Sequence, residues 1–193
     1  MREAAASLGR IDGVVFLAGV YWPMPAQELH ADQLIAMADV NFTGAARVIG
    51  AVLPDMVARD AGHVVLTGSL AGFRGLPGAV GYAASKAGVM SLAESLRADL
   101  WRTGVRVQLA NPGFIRTRLT DKNTFRMPFL MTPEEAVIVS VRGRIVSPPE
   151  LRRVGSEERM HLQLELSSIR LEQAWHSASG KILITSASEL AST

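Results

Sequence analysis

The segment DGVVFLAG (residues 12–19) is a short, continuous apolar run that a glycine closes. GHVVLTGS (62–69) and VRVQLANPG (105–113) repeat this pattern, and each ends in residues that break regular structure. A strand with one solvated face alternates apolar and polar residues, whereas a strand that is buried on both faces is apolar throughout. The three runs therefore predict strands of a sheet that is covered on both faces.

Long helical patterns separate the three predicted strands. Residues 31–59 are typical of one long helix or two, and residues 82–104 of a helix that Gly104 ends as a C-terminal cap. Strands that alternate with helices predict crossover connections and an α/β fold with a doubly wound parallel sheet. Because ligands bind outside the carboxyl ends of the strands in such sheets, the segments just after the three strands are where we expect a site.

The composition excludes several classes of function. The chain has 193 residues, of which 48% are hydrophobic and 20% charged, and its net charge of +2 is too small to favour nucleic acid as a partner. Its apolar runs are shorter than the roughly 20 residues of a membrane-spanning helix, which predicts no membrane partner. The absence of cysteine favours the cytoplasm, and the four histidines lack ligand spacing, so no metal site is predicted.

Polar residues with chemical potential gather at the predicted strand ends. Tyr82 and Lys86 lie four residues apart and therefore on one face of a predicted helix. Ser69 follows the second strand, and Asn41 interrupts an apolar helical stretch. A lysine ammonium beside a tyrosine lowers the pKa of the phenol and prepares it for acid–base catalysis. Ser69 can bind a substrate oxygen and Asn41 a relay water, so the four residues fit hydride transfer between a nicotinamide and a carbonyl or alcohol.

On these residues the chain resembles the short-chain dehydrogenase/reductase family. The matching segments follow one another in order: LAG (17–19), DVNFTG (39–44), TGSLAG (67–72), YAASK (82–86) and NPGFIRT (111–117). Ser69 precedes Tyr82 by 13 residues, which is the separation usual in the family. The resemblance covers about residues 1–145 and implies a Rossmann-like sheet, with residues 1–147 as a partial domain of this family.

The resemblance implies a role for each matching residue. Tyr82 is the expected catalytic acid or base, Lys86 binds the ribose of the nicotinamide and tunes Tyr82, Ser69 orients the substrate, and Asn41 holds the relay water. The cofactor is NAD or NADP, and the substrate a small alcohol or carbonyl compound. The residues expected to line the cofactor, besides Tyr82 and Lys86, are Ala18, Gly19, Pro112, Gly113, Ile115 and Thr117.

The family's first half is missing from the sequence. Members begin with a strand, a TGxxxGxG turn and a helix that binds the pyrophosphate, and their strand order is 3-2-1-4-5-6-7. This chain is expected to hold strands 4 to 6, with strands 1 to 3 absent, as a truncated relative. Strand 4 would then be an exposed edge, part of the sheet surface would be uncovered, and one wall of the dinucleotide crevice between strands 1 and 4 would be lost.

The C-terminal segment, residues 148–193, diverges from the family. MTPEEAVIVSVRGR (131–144) still predicts a helix that Thr132 caps, but RMHLQLELSS (159–168) fits either a strand or a helix. SGKILITSAS (179–188) imitates the family's last strand, strand 7, or belongs to a divergent tail. The first eight residues are typical of the end of a helix that Gly9 closes.

Several alternatives remain open on the sequence. The chain is an oxidoreductase, or a catalytically silent relative that acts as an interaction partner; in both cases the resemblance implies a homo-oligomer formed through helices 40–59 and 82–103. Asn41 is a relay residue, or a helix cap or kink residue that binds a neighbouring carbonyl. Tyr21 and Trp22 pack a loop or contact substrate, and FRMPFLM (125–131) is a lid or the packed core of a connector.

Overall fold

The computed structural model describes residues 9–136 and 182–185. These fall into two compact units, residues 9–109 with 182–185 and residues 110–136, and each is treated by itself. The predictions for residues 1–8 and 159–168 and for a domain boundary at residue 147 lie outside the described residues. So does most of the helix after Thr132, although its start is described and is capped as predicted, with the Glu135 amide donating to Thr132 Oγ1 at 3.2 Å.

The first unit is built on a four-stranded sheet. Its strands are β1 (Gly13–Phe16), β2 (Gly62–Thr67), β3 (Val105–Ala110) and β4 (Ile182–Thr185), in the spatial order β3-β2-β1-β4. β1 pairs in parallel with β2 on one side and with β4 on the other. The three predicted strands and the parallel α/β class are thereby confirmed.

The position of β4 corrects two expectations. Ile182–Thr185 lies beside β1, with Gly13 opposite Ile182 and Phe16 opposite Thr185, and not beyond β3 where the family's last strand would lie. β1 was expected to be a bare edge, but β4 supplies backbone partners to it. An apolar strand edge presents unpaired N–H and C=O groups with which another strand can pair, and this is the physical reason for a strand to add there.

Three helices connect the first three strands. Helix α1 (Ala31–Ala38) continues through a π-helical turn (Asp39–Thr43) into helix α2 (Gly44–Ala58). Helix α3 (Val80–Asp99) joins β2 to β3. The 3-10 turns in the described residues are Ala26–Glu28, Leu70–Gly72 and Thr120–Lys122. The predicted choice between one helix and two over residues 31–59 thus resolves into one helical path that contains a π turn.

The core lies on one face of the sheet. The chain moves from β1 to β2 to β3 in a single direction, and right-handed crossovers then place α2 and α3 on the same side. The other face is half-buried in the described residues, as at Val15 and Val65. The prediction that both faces of the sheet are buried is therefore fully correct for one face only. The side chains that form the core include Val14, Phe16, Val48, Val52, Met56, Val64, Leu66, Val89 and Ala93.

The helical path Ala31–Ala58 has the length and composition of a membrane span. It has 28 residues, and its mean hydropathy reaches 1.2. The core helix of a soluble protein passes the same test, and α2 packs Val48, Val52 and Met56 into the core. This stretch is therefore weak evidence for a membrane segment, and the absence of a membrane partner stays a prediction.

Gly104 has a different role from the one predicted. Helix α3 ends at Asp99 with Leu100 as its C-cap, so Gly104 does not cap it. A Cβ atom at position 104 would overlap the carbonyl oxygen of Asp60. The Gly104 amide also donates to Asp60 Oδ1 at 2.7 Å, and Asp60 itself has a positive φ of 53°. Gly104 is thus required because two backbone segments approach each other closely.

We expect Gly104→Ala to lower the free energy of unfolding by more than about 2 kcal/mol, because backbone atoms must move to admit the new methyl group. The matched control is Gly50→Ala in α2, where nothing lies within 4 Å of the added Cβ. That change should raise the free energy of unfolding by about 0.5–1 kcal/mol, since alanine favours a helix interior. Urea denaturation measures both values, and equal effects at the two positions would contradict the close approach of Gly104 to Asp60.

Candidate active site

The candidate site begins where β2 ends. Ser69 follows Thr67 by two residues and caps the 3-10 turn Leu70–Gly72, with its Oγ accepting a hydrogen bond from the Ala71 amide at 3.2 Å. Ser69 has extended backbone angles, and it is half-buried. The turn therefore fixes the serine at the carboxyl end of the sheet, where the sequence predicted a site.

Tyr82 lies in the first turn of α3 and meets Ser69. The Ser69 hydroxyl lies close enough to that of Tyr82 to lower its pKa in part, and the ring of Tyr21 packs against the Tyr82 ring with 4.9 Å between the centroids. Tyr21 was left open between loop packing and substrate contact, and it packs on Tyr82 itself. The hydroxyls of Ser69 and Tyr82 thus lie together as predicted.

Lys86 lies one helical turn after Tyr82 and is buried, with 3% of its surface exposed. Its Nζ donates to the carbonyl oxygen of Thr67 at 2.8 Å and lies 5.8 Å from the centroid of the Tyr82 ring. An ammonium group has three N–H donors, and Thr67 accepts one of them. Lys86 is thereby fixed close to Tyr82 while it retains donor capacity.

Burial shifts the pKa values of both groups. Loss of water around the Lys86 ammonium lowers its pKa from 10.5 to about 8. Burial raises the pKa of Tyr82, the hydrogen bond with Ser69 lowers it in part, and Tyr21 raises it. The prediction that Lys86 makes the pKa of Tyr82 lower than normal is therefore wrong for this structure, because desolvation of the phenol is the larger effect.

Asn41 is fully buried in the π turn and ties three segments together. Its Oδ1 accepts from the Val20 amide at 2.8 Å, and its Nδ2 donates to the Val20 carbonyl at 3.1 Å and to Ser85 Oγ at 2.9 Å. Ser85 Oγ in turn donates to the carbonyl of Tyr82 at 2.8 Å. Val20 lies 21 residues before Asn41, so the carbonyl that Asn41 binds belongs to the loop after β1 and not to its own helix.

Gly19 completes this group of residues after β1. A Cβ atom at this position would lie 3.6 Å from Asn41 Oδ1 and 3.7 Å from Lys86 Nζ. The lack of a side chain at Gly19 therefore leaves space directly in front of the lysine ammonium. Ala18 is 1% exposed and its side chain belongs to the core, so only its backbone is available to line a ligand.

The remaining predicted cofactor residues belong to the second unit. Pro112, Gly113, Ile115 and Thr117 follow β3, in a loop that two contacts hold in place. The first is a bridge between Ile115 and Met131, and the second is a hydrogen bond from Thr120 Oγ1 to the Ile115 carbonyl at 2.6 Å.

The apolar segment 125–131 is not the packed core of a connector. Phe125 is 54% exposed and Phe129 is 58% exposed, so these rings are too accessible for core residues. The Phe125 ring does contact Phe114, with 5.8 Å between the centroids. The segment thus covers part of the loop that follows β3, and its role as a lid stays a prediction.

Sequence reasoning missed several groups that hold the site together. The carbonyl of Thr67 and the backbone of Val20 carry no side-chain signal, so no sequence pattern identifies them. Ser85 did carry a sequence signal, because it stands three residues after Tyr82 and directly before Lys86 on the same helix. A buried hydroxyl at that spacing is placed to bond the preceding turn.

The sequence profile of the family described as short chain dehydrogenase matches residues 1–127. An uncharacterized oxidoreductase of Myxococcus xanthus is 45% identical over 151 residues, which cover 78% of this chain and 60% of that protein. Human 17-beta-hydroxysteroid dehydrogenase type 1 is 37% identical over 129 residues, which cover 67% of this chain and 38% of that enzyme. The chain thus spans only part of the length of these relatives.

A solved structure shares the architecture. The closed form of serine dehydrogenase complexed with NADP+ is 31% identical, with a TM-score of 0.61, and the match covers 69% of this chain and 60% of that one. The matched profile extends over more than half of the sequence and includes Asn41, Ser69, Tyr82 and Lys86. The chain therefore belongs to the short-chain dehydrogenase family.

Proposed function

We propose that this protein is an NAD- or NADP-dependent oxidoreductase that interconverts an alcohol and a carbonyl compound. One observation carries the proposal. A buried lysine ammonium is fixed one helical turn from a tyrosine whose hydroxyl lies beside that of a serine, at the carboxyl end of a parallel sheet. A proton donor, an oxygen-binding group and a cation are thereby combined where such sheets bind ligands.

Tyr82 and Ser69 act on the substrate oxygen in this proposal. A phenol with a raised pKa is protonated at neutral pH, so Tyr82 can donate its proton to a carbonyl oxygen during reduction. In alcohol oxidation the phenolate form of Tyr82 accepts the hydroxyl proton instead. The Ser69 hydroxyl, already beside that of Tyr82, donates a hydrogen bond to the same oxygen and stabilises the charge that develops on it.

The residues around Gly19 fit the nicotinamide ribose. Lys86 has donor capacity beyond its bond to Thr67, and the open space at Gly19 lies in front of its ammonium group. Ribose hydroxyls accept such hydrogen bonds, and the nicotinamide supplies or accepts the hydride when bound. The other cofactor contacts that we propose by family resemblance are Ala18, Pro112, Gly113, Ile115 and Thr117.

Asn41 supports the site in a different manner from a free relay residue. Both N–H groups of its amide and one lone pair of Oδ1 are used by Val20 and Ser85. A relay water would therefore bind the remaining lone pair of Oδ1 or the backbone beside it. We propose that the main effect of Asn41 is to hold the loop after β1 in position for the cofactor.

The alternative of a catalytically silent interaction partner is not favoured. The argument for a silent partner was that the sequence lacks the first half of the family's fold. The relatives, however, are oxidoreductases, and this chain contains the four candidate residues. We further propose a cytoplasmic location and a small-molecule substrate, in agreement with the composition.

Self-association through α2 and α3 is also proposed. Helix α3 exposes a row of small residues without charge at helical spacing. Such a row lets a second helix approach closely and bury apolar surface. The residues of this row are Ala84, Ala87, Ser91 and Ser95.

Tyr82→Phe should reduce turnover by at least about 10²–10⁴-fold, since it removes the proton donor, and should leave folding nearly unchanged. The matched control is Tyr21→Phe, which keeps the ring that packs on Tyr82. Turnover is followed as NADH or NADPH absorbance during carbonyl reduction, and folding by circular dichroism. Retained turnover in the Tyr82→Phe variant would disprove the catalytic role of Tyr82. If the unsubstituted chain binds neither NADH nor NADPH, the proposed function is contradicted.

Lys86 should make stability depend on pH. Its pKa is about 8 in the folded chain and 10.5 when exposed, so the unfolded chain binds more protons between these values. The free energy of unfolding should therefore rise from pH 8 to pH 10 by about 2 kcal/mol relative to Lys86→Met. Urea denaturation of both proteins at several pH values measures this difference. A difference that is constant over this range would contradict the buried, shifted ammonium.

Ser91→Arg should convert an oligomer to monomers, because it places a charge in the uncharged row of α3. Arg97→Glu, at an exposed position of the same helix that does not share the row's spacing of three or four residues, changes charge outside the row and should leave the oligomer intact. Sedimentation velocity measures both. An unchanged chain that sediments as a monomer at micromolar concentration would exclude the proposed interface.

A further inference from the structure

A cavity of about 310 Å³ lies in the first unit, between the segment that leads into β1 and the C-terminal half of α2. Its lining includes Arg10, Ile11, Ala51, Val52, Asp55 and Arg59. Since β1 begins at Gly13, the cavity lies at the amino ends of the strands, whereas Ser69, Tyr82 and Lys86 lie at the carboxyl ends. A volume of this size is within the range of small-molecule sites, and the cavity is separate from the candidate active site.

Arg59 is a fixed cation of this cavity. It follows α2 directly, and its Nη2 donates to the backbone carbonyl of Ile11, which joins the end of the helix to the entry of β1. Its Nε is buried, and none of the described residues accepts a hydrogen bond from it. A guanidinium has five N–H donors, and a buried donor without an acceptor costs free energy. Arg59 is thus held in place while part of its hydrogen-bonding capacity is unused.

Asp55 carries the opposite charge on the same face of the helix. It lies four residues before Arg59, a spacing at which helical side chains commonly form an ion pair. The ion pairs in the described part of the chain involve other residues, so Asp55 and Arg59 both line the cavity without neutralising each other. One wall of the cavity therefore presents a carboxylate and a guanidinium about one helical turn apart.

The rest of the lining balances these charges and adds apolar surface. Arg10 is already paired with Asp12, at 2.7 Å between Nε and Oδ1. Ile11 and Val52 are buried side chains of the core. The C-terminal end of α2 bears a partial negative charge, which favours a cation near Asp55 and opposes an anion there. A simple anion would thus meet Asp55 and the end of the helix, and a simple cation would meet Arg59.

We propose that this cavity binds a small apolar amino acid. Its carboxylate would accept hydrogen bonds from Arg59, and its ammonium group would donate to Asp55. An α-amino acid carries both charges on one carbon atom, so the two groups can reach side chains that are separated by roughly 6 Å along a helix. The apolar side chain of the ligand would pack against Ile11 and Val52 and be removed from water.

The ligand class is tested by calorimetric titration of the full chain with L-leucine. Isocaproate has the same apolar body and carboxylate but no ammonium group, and isoamylamine has the ammonium group but no carboxylate. We expect leucine to bind with a Kd of about 1 mM or lower, and at least about tenfold more tightly than either analogue. Absence of leucine binding, or equal affinity for leucine and one of the analogues, would overturn the proposal.

The place of binding is tested with substitutions that leave the bond from Arg59 to Ile11 intact. Asp55→Asn removes the charge of an exposed carboxylate, and Ala51→Phe fills the cavity from an exposed position of α2. Each variant should bind leucine at least about tenfold more weakly than the unsubstituted chain. The matched control is Arg47→Gln, which changes a charge on the same helix outside the cavity and should leave the affinity unchanged.

Circular dichroism checks the folding of each variant, and Asp55→Asn alone decides the outcome if Ala51→Phe does not fold. Unchanged leucine affinity in folded Asp55→Asn would overturn the site, even where the unsubstituted chain binds leucine. An equal loss of affinity in Arg47→Gln would also overturn it, because the effect would then not depend on the lining of the cavity.

Discussion

Helix α3 and strand β2 are joined by the hydrogen bond from the buried Lys86 ammonium to the Thr67 carbonyl, 2.8 Å long. A buried cation without a polar partner is strongly unfavourable, so this contact determines how far α3 lies along the sheet. Tyr82 is on the same face of the helix one turn earlier and is therefore brought to Ser69, two residues after Thr67. The position of the candidate acid–base group follows from the need to satisfy one ammonium.

A second constraint comes from the buried amide of Asn41. Its three hydrogen bonds join the loop after β1 to the π turn and, through Ser85, to α3. A π turn adds a residue to the helix path, and such turns occur at functional sites because they direct a side chain that a regular helix would place elsewhere. Segments that are far apart in sequence thus share one small polar network, and Gly19 leaves space beside it.

Much of this arrangement was predictable from the sequence, and the errors have physical causes. Continuous apolar runs identified three strands, and the spacing of Tyr82, Lys86 and Ser69 indicated the candidate site. The end of α3 was predicted at Gly104, because glycine often caps a helix. Gly104 is instead required by the close approach of Asp60, and the sequence alone does not distinguish these two reasons for a glycine. The direction of the Tyr82 pKa shift was wrong because the sequence reveals the neighbouring charge but not the loss of solvent.

Hydrophobic periodicity and helical spacing are local properties of the chain, so the fold class and the chemical character of the candidate site could be predicted from the sequence. Which edge of the sheet receives Ile182–Thr185 is a property of the folded chain that no local pattern reveals. A short apolar strand can add to any free parallel edge, and its hydrogen bonds are the same at each. Within the described residues Ile182–Thr185 pairs with β1, beside the candidate active site, while the outer edge of β3 has no neighbouring strand.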